Sequence, residues 1–132
     1  MGNPVRRHCE CGTEGAAARA REETRRFFDD ARAADHLAPR SLQDTVLLVV
    51  SELVTNAVHH ARGPCALDIV WSRCGIDIDV TDSSPEPPRS RPPDRDVAGG
   101  YGWPLVNHLA DEVDVRPVPG GGKSIHVHFT AA

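Results

Sequence analysis

The stretch Ser51-Glu52-Leu53-Val54-Thr55-Asn56-Ala57-Val58-His59-His60-Ala61 decides how this chain reads. It sits in a longer run whose apolar residues are Leu42, Val46, Leu47, Leu48, Val49, Val50, Leu53, Val54, Ala57 and Val58. Wound as a helix they cover most of its circumference, and such a helix belongs at the centre of a domain. Glu52, Asn56 and His60 recur every four residues, so they stack along one polar stripe of it. A carboxylate and an amide one turn apart can hold an oxygen-loving cation and poise a hydroxyl or water for transfer. The wet face of an ordinary helix looks the same. Ser41-Leu42-Gln43-Asp44 reads as a capping box that opens this helix, which runs to about Ala61 and stops before Gly63-Pro64.

Upstream, Ala17, Ala20, Thr24, Phe27, Phe28 and Ala31 recur at three- and four-residue steps and predict an amphipathic helix from Ala16 to about His36. Before it, residues 1–15 form an N-terminal arm in which Val5 to Cys11 alternate as a candidate first strand. Downstream, Leu67, Ile69 and Trp71, then Ile76, Ile78 and Val80, alternate with polar or smaller residues around the turn Arg73-Cys74-Gly75, which is a hairpin pattern. Residues 83–98 hold five prolines without apolar periodicity. About 34 residues follow them, too few to bury a core unaided, so this is a long loop within one domain and reads as a lid over a site, about 83–101. A short helix from Trp103 to Ala110 and strands over Val113–Val118 and Ser124–Thr130 complete the pattern. Antiparallel hairpins with one apolar face, and helices to cover that face, make an α+β two-layer α/β sandwich over residues 16–132.

The chain's 132 residues suit one domain. A formal net charge of −4 is the wrong sign for sequence-independent nucleic-acid binding. No apolar stretch approaches the roughly eighteen residues of a membrane span, and the N-terminus lacks the apolar core of a signal peptide; a cytoplasmic protein is the expectation. Of the four cysteines, Cys9 and Cys11 are one residue apart and Cys65 and Cys74 are distant, which is not zinc-ribbon spacing. His8-Cys9-Glu10-Cys11 has soft-metal ligand types, and reduced cytoplasmic thiols are the plainer reading.

Two further features carry chemistry. Asp82 ends the Ile76–Val80 strand just before the proline-rich loop, where a carboxylate accepts a hydrogen bond from a ligand amino group or caps a turn. Gly99-Gly100-Tyr101-Gly102 leads into a helix, so its backbone N–H groups favour phosphate, although such turns also occur without a ligand. It is not a P-loop, and Gly122-Lys123-Ser124 fails that pattern as well.

In this order, Glu-x-x-x-Asn on a helix, an Asp ending a strand, a lid-like loop, Gly-x-Gly entering a helix and a final strand resemble the GHKL (histidine-kinase-like) ATPase superfamily. Ser51 to Ala61 and Gly99-Gly100-Tyr101-Gly102-Trp103-Pro104-Leu105-Val106 resemble its single-domain anti-sigma-factor serine/threonine kinase branch. The resemblance implies a Bergerat-type fold, a mainly antiparallel mixed sheet covered on one face by about three helices. It implies ATP and Mg²⁺, with Asn56 on the metal, Glu52 orienting or deprotonating the attacking hydroxyl, and Asp82 accepting from the adenine amino group. Gly100, Tyr101 and Gly102 would border the phosphates, Lys123 and Ser124 would close the base pocket, and His60 matches a position often held by His. The implied partners are a STAS-type anti-sigma-factor antagonist, phosphorylated on Ser or Thr, and a sigma factor; a homodimer through a sheet face or the first helix is a further expectation. The family's Asp-x-Gly is here Asp82-Ser83-Ser84, and Tyr101 and Trp103 replace a basic and an aliphatic residue. These departures favour the alternative, a module of the same fold that binds nucleotide poorly and acts by sequestering a partner.

Overall fold

Strict alternation puts every second residue of β2 (Cys65–Ser72), β3 (Gly75–Asp82) and β5 (Lys123–Thr130) into one buried layer. With β1 (Val5–Gly12) and β4 (Glu112–Pro117) they form a five-stranded sheet in the order β1-β2-β3-β5-β4. All four pairings are antiparallel, so the described sheet contains no parallel pair. The computed structural model describes residues 5–12, 14–60, 64–84 and 102–131, and most of the lid-like segment lies outside them.

Helices α1 (Ala16–Ala33), α2 (Arg40–His60) and α3 (Gly102–Leu109) supply the second layer. Helix α2 is central, packing on α1, α3, β2 and β3. It buries Val46, Val49, Val50, Leu53, Val54 and Ala57, while Leu48 on its far side is exposed. Its apolar character is therefore broad but not complete. Helix α1 inserts Ala16, Ala20, Thr24, Phe27, Phe28 and Ala31; Ala17 of the expected stripe is only half-buried. The hydroxyl of buried Thr24 donates to the Ala20 carbonyl at 2.7 Å, which satisfies it within the helix. Phe27 stacks on Trp71 with ring centroids 6.3 Å apart, tying α1 to β2, and His36 stacks on the same indole at 5.4 Å. No described helix is long and apolar enough to cross a membrane.

The start of α2 differs from the capping-box reading. The helix opens at Arg40, one residue before Ser41, and the Pro39 carbonyl accepts from Gln43 N–H at 3.1 Å. Gln43 also donates its side-chain amide to the Ala38 carbonyl at 2.9 Å. Pro39 fixes the entry angle, and Gln43 rather than Ser41 holds it. Helix α1 likewise stops at Ala33, before His36, because Asp35 adopts φ 64.

The helix-free face of the sheet carries His8, Asp68, Asp77, Asp79, Ser124, His126 and His128 in cross-strand register. His126 bridges Asp79 at 3.0 Å and Asp77 at 3.1 Å, and His128 meets Asp77 at 2.8 Å. At edge strand β1, His8 sits between Asp68 at 2.7 Å and Glu10 at 2.9 Å, and these hydrogen bonds raise its pKa above the ordinary 6.5. A raised histidine stabilises the fold fully below its unfolded pKa, and the contribution disappears as pH rises through the folded value. Denaturant unfolding is expected to show stability falling across that window. Asp68→Asn is expected to flatten the change and lower the His8 midpoint in an NMR titration; an unchanged midpoint would refute the pairing.

Candidate functional site

Glu52 and Asn56 lie one turn apart on α2, flanked by buried Leu53, Val54 and Ala57. Both are half-buried, and neither side chain has a hydrogen-bond or ion-pair partner among the described residues. Half-buried polar groups without partners bear a desolvation cost that a ligand could offset. His60 is the last residue of α2. Gly102 opens α3, which packs on α2, whereas Gly100 and Tyr101 fall outside the described residues. Trp103 is half-buried against the core.

At the other end of the site, Asp82 and Lys123 face each other as the last rung of the β3–β5 ladder. Lys123 Nζ donates to Asp82 Oδ1 at 3.0 Å, with the two side chains 5% and 1% exposed, so this is a buried ion pair. Ser84 N–H donates to the same oxygen at 2.9 Å, and Lys123 also reaches the Ser84 carbonyl at 3.3 Å. The Asp82-Ser83-Ser84 turn thus closes on its own carboxylate, clamped by the lysine, and Ser84 needs no left-handed backbone where the related families use glycine. Gly122 makes the approach possible: a Cβ there would collide with the Asp82 carbonyl.

Consecutive residues of a strand point to opposite faces, and this separates Lys123 from Ser124. Lys123 lies on the helix-covered face with Asp82. Ser124 is on the open face, accepting from Thr81 at 3.3 Å and donating to Asp79 at 3.5 Å. Asp82 Oδ2 has no donor among the described residues although the side chain is almost wholly buried. That orphaned acceptor, beside a cleft of ≈ 320 Å³ also lined by Cys65, Thr81 and Gly122, fits the amino group of a nucleotide base. Among the described residues no hydrogen bond or ion pair joins the Glu52–Asn56 stripe to Asp82; α2 packing on β3 brings the two elements together.

The His8-Cys9-Glu10-Cys11 run does not converge on one point. His8 and Glu10 lie on the open face, while Cys9 and Cys11 lie on the covered one. Among the described residues no group of three His, Cys, Asp or Glu side chains is placed to hold a metal ion. The ion pair between Asp82 and Lys123 is not announced by the expected strand, which starts at Ser124 and leaves Lys123 out; extending the alternation back by two residues from Ile125 puts Lys123 on Asp82's face.

Removing one member of a buried ion pair leaves the other charge unpaired and costs about 3–5 kcal/mol. Lys123→Met is therefore expected to destabilise by that amount in chemical denaturation. Asp82→Asn combined with Lys123→Met is expected to regain most of the loss. Additive losses would refute the pairing.

Residues 14–128 match the family described as histidine kinase-like ATPase domain. The chain is also similar to the anti-sigma F factor of Pasteuria penetrans, 32% identical over 94 residues. That alignment covers 60% of this chain and 62% of the relative, less than two thirds of the relative's length. With the family spanning nearly all of the described fold and both ends of the site, the chain belongs to the histidine kinase-like ATPases.

Proposed function

We propose that this protein binds ATP with Mg²⁺ and transfers the γ-phosphoryl group to a Ser or Thr hydroxyl of a STAS-type anti-sigma-factor antagonist, and that it sequesters a sigma factor when that antagonist is disengaged. The observation that carries this reading is the pair Glu52 and Asn56, one turn apart on the central helix, half-buried and without a partner among the described residues. The similarity to an anti-sigma F factor supports the regulatory part.

In this scheme Asn56 supplies an amide oxygen to Mg²⁺, a hard cation that prefers such ligands. Held there, Mg²⁺ would supply charge neutralisation at the phosphates. Glu52 orients the attacking hydroxyl and takes its proton as the new O–P bond forms and the bond to the ADP oxygen breaks. Asp82 accepts from the base amino group through Oδ2, and Lys123 holds the carboxylate in place. His60, Gly100, Tyr101 and Gly102 border the phosphates, and Ser124 supports the pocket from the sheet's other face. Catalysis is mostly positioning.

A second reading rests on the same ion pair. Asp82 Oδ1 is already occupied by Lys123 and Ser84, which favours a module that binds nucleotide weakly and works by sequestration alone.

Calorimetric titration with ATP separates the two. The kinase reading expects binding that depends on Mg²⁺ and loses that dependence in Asn56→Ala. Glu52→Gln is expected to keep ATP affinity and slow phosphoryl transfer by about 10²–10⁴-fold, read with labelled ATP and a STAS-type substrate. No binding at millimolar ATP by folded protein, with partner binding intact, supports the sequestering module instead.

A further inference from the structure

Strand β1 turns two thiols toward the core: Cys11 is fully buried, and Cys9 is half-buried. The β1–β2 register breaks between Glu10 and Gly12, and Gly12 rather than Cys11 stands opposite Cys65. A bulge of this kind re-aims the extra residue. Here it leaves Cys11 beside Cys65, the first residue of β2, with both side chains in the helix-covered layer. Cys9 Sγ lies 3.4 Å from Cys11 Sγ on the other side. Neighbouring positions on paired strands lie within the reach that a disulfide requires.

Access comes through the cleft at the end of the sheet. Cys65 is only 2% exposed, yet it lines that cleft together with Asp82 and Glu10. The contact with Cys11 moves the Cys65 thiol below its ordinary pKa, while the same contact and burial push Cys11 up. The two thiols thus differ in acidity, the asymmetry that thiol oxidation uses.

We propose that Cys11 and Cys65 are an oxidation-responsive pair that closes to a cross-strand disulfide when a hydroperoxide enters this cleft. The Cys65 sulfur attacks one oxygen of hydrogen peroxide, the O–O bond breaks, and Cys65 becomes a sulfenic acid as the other oxygen leaves as water. The Cys11 sulfur then attacks the Cys65 sulfur, the S–S bond forms, and the sulfenic hydroxyl leaves with the Cys11 proton as a second water. Two thiols are oxidised and one peroxide is reduced to two waters. The bond fastens edge strand β1 to β2 at the rim of the cleft that holds Asp82. This inference does not depend on what the cleft binds.

The test uses the full chain with Cys74→Ser, which removes the exposed thiol that would link molecules to one another. After stoichiometric hydrogen peroxide and alkylation of the remaining thiols, tryptic digestion without reductant is expected to join peptide 8–19 to peptide 63–73, with Cys9 alkylated. The joined species should disappear with dithiothreitol. It should persist in Cys9→Ala and be lost in Cys65→Ala. If Cys65→Ala does not fold, the wild-type and Cys9→Ala maps decide alone. A bond internal to peptide 8–19, or all three thiols alkylated under conditions that oxidise free glutathione, would overturn the proposal.

Discussion

A carboxylate and an ammonium buried against each other at the end of the β3–β5 ladder constrain much of this molecule. Asp82 and Lys123 tolerate burial only because each has the other, and because Ser84 supplies a further donor to the same oxygen. Satisfying the pair fixes where β3 stops, how the chain turns into the proline-rich segment, and how closely the β4–β5 turn approaches at Gly122. The sheet therefore ends in a rigid polar corner rather than a frayed edge. That corner leaves Asp82 Oδ2 as an acceptor without a donor among the described residues.

The central helix answers a different constraint. Its apolar residues are needed on several sides, against α1, α3 and the sheet, so polar residues in its second half are conspicuous. Glu52 and Asn56 are half-buried and have no partner among the described residues. The polar corner is held by tertiary contacts between strands far apart in sequence, whereas the stripe follows from helical period alone. A nucleotide site assembled from both needs the packing of α2 on β3 to keep them in register.

That distinction explains what was legible in the sequence. The helices, the β2–β3 hairpin and the last strand follow from local periodicity, and residues such as Phe27, Leu53, Ile78 and Val127 are buried where period and pattern put them. The Glu52–Asn56 stripe is equally local. Lys123 on Asp82 is not, since 41 residues separate them and only strand register decides that they meet. Strand period alone sets Ser124 with His126 and His128 on the open face, whereas its place beside the base pocket came from the resemblance. At the entry to α2 a good local motif, Ser41 to Asp44, lost to Pro39, whose fixed φ starts the helix one residue sooner. The meeting of Cys11 and Cys65 depends on a bulge, which no periodic pattern announces.

The stripe on α2 and the polar corner at Asp82 are proposed to be two ends of a single nucleotide site. NMR of isotopically labelled protein titrated with ATP and Mg²⁺ tests it most directly. The Asn56 side-chain amide and the Asp82 carboxyl carbon should shift together, with the same half-saturation concentration. Shifts at one position without the other, or at neither while the protein still engages its partner, would contradict the claim.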